Sequence, residues 1–260
     1  MENNFYKDKT ILVTGGAGSI GSEIVRTLIK HYSPKAVRAF DNNETGLFDL
    51  EQKLRSNKLR LHIGDIRDRE RLKKSIENVD IVFHTAALKH VPLCEYNPFE
   101  TVKTNVVGTQ NVIDACLNAN VKKMINISTD KAVNPVSVMG ATKLLTEKLT
   151  TVANYYKGRK QTILSSVRFG NVLNSRGSVV SVFHQQIKKG GPVTVTNPEM
   201  KRFVMSIPKA VDLIFKAAEI SEGGEIFILK MPIVRLGDVA EVMIEQLAGK
   251  YGYKQGQIKI

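Results

Sequence analysis

The chain of 260 residues has no tryptophan, and its aromatic content is only 7%. No cluster interleaves aromatic with basic side chains, so a nucleic-acid partner is not expected. Every apolar stretch is broken by charge well before the roughly 20 residues a membrane-crossing helix needs, and Met1 to Thr10 is too polar for a secretory signal. No membrane span is expected, and the cytoplasm is the expected compartment. The two cysteines, Cys94 and Cys116, form no paired motif, which excludes a disulfide framework and a zinc site. The five histidines, His31, His62, His84, His90 and His184, lack metal-ligand spacing, so no metal is expected. Internal repeats and linkers rich in Pro, Gly or Ser are also missing.

What remains is the composition of an ordinary globular protein, 42% apolar and 24% charged, with a net charge of +13. That charge is uneven. Residues 1–130 hold 19 Lys or Arg against 16 Asp or Glu, whereas residues 131–260 hold 19 against 9. A basic second half suits an anionic partner, a nucleic acid, a membrane surface or a phosphorylated small molecule, and the lack of a run of bases argues against the first.

Short β-branched apolar runs alternate with longer segments of helical spacing. The runs are Ile11 to Val13, Ala36 to Phe40, Leu59 to Ile63, Ile81 to Phe83, Met124 to Ile127 and Thr162 to Val167. Strands nearly apolar throughout and separated by helices imply an α/β fold, a doubly wound parallel sheet covered on both faces. After Arg168 the rhythm becomes irregular, with a helix near Val180 to Lys189 and a short strand at Val193 to Thr196. The expected organisation is a dinucleotide-binding core over residues 1–168 and a mixed substrate-binding part over 169–260, interleaved with the core.

The first strand runs into Thr14-Gly15-Gly16-Ala17-Gly18-Ser19-Ile20-Gly21. Gly16, Gly18 and Gly21 satisfy the G-x-G-x-x-G spacing, and Gly15, Gly18 and Gly21 a shifted version. Such glycines let the backbone turn tightly and approach a pyrophosphate at a helix N-terminus, here near Ser19 and Ile20. Asp41 ends the next strand, where a carboxylate accepts the ribose hydroxyls of NAD and repels the 2′-phosphate of NADP. NAD is therefore expected rather than NADP. Asp65, after the third strand, is placed either to bind the adenine amino group or to cap a helix.

These residues resemble the extended short-chain dehydrogenase/reductase superfamily, with its Rossmann fold. More narrowly they are similar to its polysaccharide-biosynthesis branch, the UDP-N-acetylglucosamine 4,6-dehydratases. The segments that carry the resemblance are the glycine turn, Ala86-Ala87-Leu88-Lys89-His90-Val91-Pro92, Lys103-Thr104-Asn105, Ser128-Thr129-Asp130-Lys131-Ala132-Val133-Asn134-Pro135, Gly140-Ala141-Thr142-Lys143 and Arg168-Phe169-Gly170-Asn171-Val172. The resemblance implies oxidation of the sugar at C4, loss of water across C5 and C6, and return of hydride to C6, leaving a UDP-4-keto-6-deoxy sugar.

The same resemblance makes Asp130 the acid toward the 6-hydroxyl and Lys131 the base at C5, with Thr129 beside them. A lysine serves as a base near neutrality only when it is desolvated or set beside another cation. Met139 stands where most of the superfamily has tyrosine, and a thioether has no titratable proton. The proton of the C4 hydroxyl is then left to Asp130 or to a water ordered by Thr129. Lys143 would donate to the nicotinamide ribose, supported by Asn105. Asn42, Ile66, Ala86, Ala87 and Lys89 would line the cofactor. Lys89, Ser128, Thr129 and Asn171 would meet the UDP-sugar, Arg176 and Arg202 its diphosphate, and Pro192 to Thr196 its uracil.

Relatives of this branch usually continue further, so the substrate part is expected to be short at its C-terminal end. A homo-oligomer is expected through two long helices near Pro98 to Asn118 and Met139 to Tyr156. Two alternatives to the dehydratase stay open: an NAD-dependent UDP-sugar C4 epimerase, and a catalytically silent NAD-binding module.

Overall fold

Ile11, Leu12 and Val13 offer no polar face, and the strand they form, β1 (Thr10–Thr14), is buried along its whole length. In this computed structural model, which describes residues 4–173, 175 and 177–260, β1 lies in a sheet of seven parallel strands. The others are β2 (Ala36–Asp41), β3 (Leu59–Ile63), β4 (Ile81–His84), β5 (Lys123–Thr129), β6 (Ile163–Phe169) and β9 (Ile226–Ile228). The order is β3-β2-β1-β4-β5-β6-β9. Strand order therefore reverses between β1 and β4, which opens a crevice at their carboxyl ends.

Helices α1 (Ser19–His31), α2 (Glu44–Leu54), α3 (Arg69–Ile76), α4 (Val91–Tyr96), α5 (Pro98–Thr101), α6 (Gly108–Asn118) and α7 (Val138–Tyr156) form the crossovers and the layers over the sheet. Leu12, Val82, Met124 and Leu164 from the strands pack with Leu72, Ile76, Val112, Ile113 and Cys116 from α3 and α6. The helix expected from Pro98 to Asn118 is interrupted by a π-helical turn at Val102–Val107. Such turns carry one extra residue and re-aim the side chains around them.

The chain divides into two units. The first holds Met1–Phe169 and Val211–Leu229. Segment 211–229 supplies most of α9 (Ile207–Ile220), with Val211, Ile214 and Phe215 buried, and then β9. The second unit, Gly170–Ala210 and Lys230–Ile260, holds β7 (Asn171–Val172), α8 (Val179–Lys188), β8 (Lys201–Met205), β10 (Ile233–Arg235) and α10 (Leu236–Leu247). Its sheet has the order β10-β8-β7, and Phe183, Ile187, Ala240 and Ile244 form its core.

The strand expected at Val193 to Thr196 does not form. Val193 is fully buried, but its N–H donates to the Lys259 carbonyl, and the Thr194 N–H donates to the Gln186 side chain.

Candidate active site

The glycine turn shows which of its two spacings the structure uses. Gly15 has a positive φ of 68°, and a Cβ there would strike the Ala86 backbone and the Thr85 hydroxyl. Gly21 faces Gly15 so closely that any Cβ would overlap the Gly15 carbonyl, and Gly18 donates its N–H to that carbonyl at 2.9 Å. Gly15, Gly18 and Gly21 therefore shape the turn. Gly16 instead packs against Ala39 on β2. The cap of α1 is Gly18, which has no side-chain oxygen to close the first turn at Ser19, Ile20 and Gly21.

Asp41 stands at the mouth of this turn. One carboxylate oxygen accepts from the Ala17 N–H and the other from the Asn43 N–H, both at 2.9 Å. The Gly64 N–H donates to the Asp41 carbonyl, tying the loop after β3 to the loop after β2. A Gly-only cradle, an uncapped helix N-terminus and a fixed carboxylate fit the adenosine diphosphate half of NAD.

Asp65 is held differently from either sequence expectation. It accepts from the Arg67 N–H and from the Arg67 guanidinium at 2.7–3.1 Å, and the Arg67 bond holds its carboxyl below the usual range. It caps no helix; Asp68 caps α3. Asn42 approaches Asp65 at 3.5 Å. The Ile66 side chain is buried against Gly108 in the core, and its carbonyl accepts from Asn111, so it does not line a cleft with its side chain. Ala86 lies against Gly15, Ala87 follows it half-buried, and Lys89 is exposed on the same loop.

β5 ends in the chemically richest turn. Asp130–Ala132 forms a single 3-10 turn capped by the Thr129 hydroxyl. Thr129 donates to Asp130 Oδ1 at 2.9 Å, and Lys131 Nζ donates to the same oxygen at 3.0 Å. The Lys131 side chain is 35% exposed. The buried lysine is Lys143, which burial pushes down to about 8.

Met139 and Lys143 lie one turn apart on α7 and both are buried. Asn105, inside the π turn, accepts from the Leu88 N–H at 2.8 Å and donates to the Leu88 carbonyl and the Thr142 hydroxyl at 3.0 Å. It thereby fixes the 86–89 loop against α7 next to Lys143.

Ser128 departs from its expected role. It is buried and its hydroxyl donates to Glu147. Asn171 and Arg202 belong to the second unit, where β7 and β8 pair Asn171 with Val204 and Arg202 donates to the Lys201 carbonyl at 2.9 Å. Arg176 lies outside the described residues. Among the described residues, no group of three or more His, Cys, Asp or Glu converges as a metal would require.

Sequence reasoning missed His84, which is fully buried at the end of β4. Its Nδ1 faces the Thr14 hydroxyl at 2.7 Å and its Nε2 the Thr109 hydroxyl at 2.9 Å. Thr109 spends its hydrogen on the Asn105 carbonyl, so Nε2–H donates to Thr109 and Nδ1 accepts from Thr14. Burial, with the nearby Lys143 charge, lowers His84 to about 3 and keeps it neutral. The available signal was a lone polar residue closing an otherwise apolar strand.

The comparisons fit this arrangement. The family model described as polysaccharide biosynthesis protein matches residues 11–260. An uncharacterized membrane protein of Methanocaldococcus jannaschii is 66% identical over 99% of this chain and 77% of its own length. Among the described residues, no helix here is long and apolar enough to cross a membrane. An inverting UDP-N-acetylglucosamine 4,6-dehydratase of Campylobacter jejuni is 43% identical over 97% of this chain and 76% of its own. A UDP-glucose 4-epimerase of Rickettsia prowazekii is 40% identical over 94% and 73%. The X-ray structure of Pen from Bacillus thuringiensis superposes with a TM-score of 0.94 at 47% identity, covering 98% of this chain and 78% of that one. With its Gly15-Gly18-Gly21 turn and the Asp130-Lys131 turn on a doubly wound sheet, the chain belongs to the polysaccharide-biosynthesis family of the extended short-chain dehydrogenase/reductases.

Proposed function

We propose that this chain is an NAD-dependent 4,6-dehydratase that converts UDP-N-acetylglucosamine to a UDP-4-keto-6-deoxy sugar. The observation that carries this reading is the Thr129-Asp130-Lys131 turn, in which a carboxyl and an amine meet at 3.0 Å at the carboxyl end of β5. Elimination needs an acid and a base side by side, and epimerisation at C4 needs no base at C5. Bound NAD would accept hydride from sugar C4 and give it back at C6.

The chain's own groups supply the rest. Asp41 would receive the ribose hydroxyls of NAD, and the Gly15-Gly18-Gly21 turn its pyrophosphate. Asp130, or a water held by Thr129, takes the C4 hydroxyl proton as hydride leaves; Lys131 takes the C5 proton and returns one there when hydride arrives at C6, and Asp130 protonates the departing 6-hydroxyl. Lys143 donates to the nicotinamide ribose, and Asn105 keeps the 86–89 loop in register. Lys89 and Asn171 are assigned to the UDP-sugar, with Arg202 directed to its diphosphate.

The epimerase is the second reading, because the Rickettsia relative stands within a few per cent of the Campylobacter dehydratase in identity. The test is incubation with UDP-N-acetylglucosamine and NAD in D₂O. Loss of one water with deuterium at C5 supports the dehydratase, an isomer of equal mass supports the epimerase, and intact NAD binding without turnover leaves only a binding module. Lys131→Ala should abolish exchange at C5 and keep NAD binding; a variant that still eliminates water removes Lys131 as the base.

A second copy of this chain is assigned to the outer face of α6 and α7. Leu145, Val152 and Tyr156 on α7 and Val107, at the end of the π turn before α6, are exposed, and Gln110 donates to the Tyr156 hydroxyl across the two helices. Such a stripe of apolar side chains suits burial against its own symmetry mate.

A further inference from the structure

Helix α7 turns a polar stripe inward: Thr142, Lys143, Thr146, Glu147 and Thr150 are all buried. Glu147 is one helical turn beyond Lys143 and completely shielded from solvent, yet it does not pair with it. Among the described residues, Lys143 is in no ion pair. Both Glu147 oxygens are engaged elsewhere. Arg168 on β6 grips them as a fork, through Nε at 3.0 Å and through its terminal nitrogen, and the Ser128 hydroxyl donates to the first of them.

We infer that Arg168 and Ser128 are positioning residues for Lys143: by engaging Glu147, the only fully buried carboxylate among the described residues, they leave the Lys143 ammonium buried without a counterion and ready to shed its proton. A buried carboxylate normally holds a neighbouring lysine charged. Here the two-point guanidinium bond outcompetes the ammonium for it, because the fork matches both oxygens at once. Burial is the dominant influence on Lys143, with Glu147 opposing it.

The charged and titratable groups on the elements around Lys143 are consistent with this. His84 on β4 is neutral, Lys103 in the π turn is paired with Glu100, and Asp130 and Lys131 after β5 are paired with each other. Glu95 on α4 accepts from the Val138 N–H at the start of α7. None of these is an ion-pair partner of Lys143.

The consequence for chemistry rests on the dehydratase reading: a neutral amine at the nicotinamide ribose can accept a proton, which Met139 cannot. The charge state itself does not depend on that reading, and its test uses the full chain without ligand. Lysine side chains labelled with ¹⁵N are titrated by NMR, with the Lys143 signal assigned from its loss in Lys143→Arg. The wild-type midpoint is expected near 8. Glu147→Gln should lower it, and Arg168→Gln, which releases Glu147 toward Lys143, should raise it by about one pH unit or more. If Arg168→Gln does not fold, Arg168→Lys keeps the charge, gives up one point of the fork and should raise the midpoint by less.

A purely structural role for the pair would weaken stability in each variant and leave the midpoint where it was. A wild-type midpoint at the ordinary lysine value, equal midpoints in all variants, or shifts of one sign in Glu147→Gln and Arg168→Gln would each overturn the inference. A chain that proved to be an epimerase would leave these titrations unchanged.

Discussion

A Cβ on Gly140 would overlap the carbonyl oxygen of Lys131, so the first turn of α7 reaches the Asp130-Lys131 turn only because residue 140 has no side chain. That approach sets the proposed acid and base against the helix that carries Met139 and Lys143. The partner atom is backbone and cannot rotate away, so relief requires one of the two segments to move.

Gly140→Ala is therefore expected to cost about 1–3 kcal/mol of stability, the usual range for overpacking. Elimination should fall far more than NAD affinity, because the glycine turn lies on different strands. Thermal melts and calorimetric NAD titration check both halves; an unchanged melting temperature would contradict the close approach.

Asp41→Asn keeps an acceptor for the Ala17 N–H and removes the charge at the end of β2. NAD binding should weaken, and discrimination against NADP should shrink by about tenfold, worth about 1.4 kcal/mol. Parallel titrations with the two dinucleotides measure the ratio, and an unchanged ratio would remove Asp41 as the selector.

His84 gives the protein a specific weakness in acid. An unfolded histidine takes up a proton near pH 6.5, while the folded one resists until about 3. The unfolded state thus binds more protons as pH falls through this window, and stability drains away; above it the contribution is fully present. At pH 5 the loss is roughly 2 kcal/mol relative to neutral pH. Denaturant unfolding at pH 7.5 and 5 should show a larger drop in wild type than in His84→Gln, and equal drops would place the acid sensitivity elsewhere.

Val152→Glu puts a charge in the exposed stripe of α7 without touching the buried polar face. Light scattering should find the wild-type chain as a dimer and the variant shifted toward monomer, with the glycine turn still binding NAD. A monomeric wild type at micromolar concentration would dispose of the assigned face.

Much of the site could be read along the chain because its parts are local. The glycine turn, Asp41 and the Thr129-Asp130-Lys131 turn each follow a strand whose apolar run marks where it ends. Where the polar groups of Ser128, Ile66 and Asp65 turn was decided by the partners that the fold brings to them. Ser128 went to Glu147, the Ile66 carbonyl to Asn111 and Asp65 to Arg67.

The order of apolar runs and helical segments, together with glycines where no Cβ can be accommodated, determined the parallel sheet and the tight turn after β1. Only tertiary structure decided which lysine is buried. Lys131 and Lys143 are the same side chain in sequence, but one sits beside its own carboxylate near solvent while the other lies inside a helix–sheet interface where Arg168 has already taken Glu147. Burial and ion pairing depend on which residues far apart in the chain arrive at one place, and no local pattern carries that information.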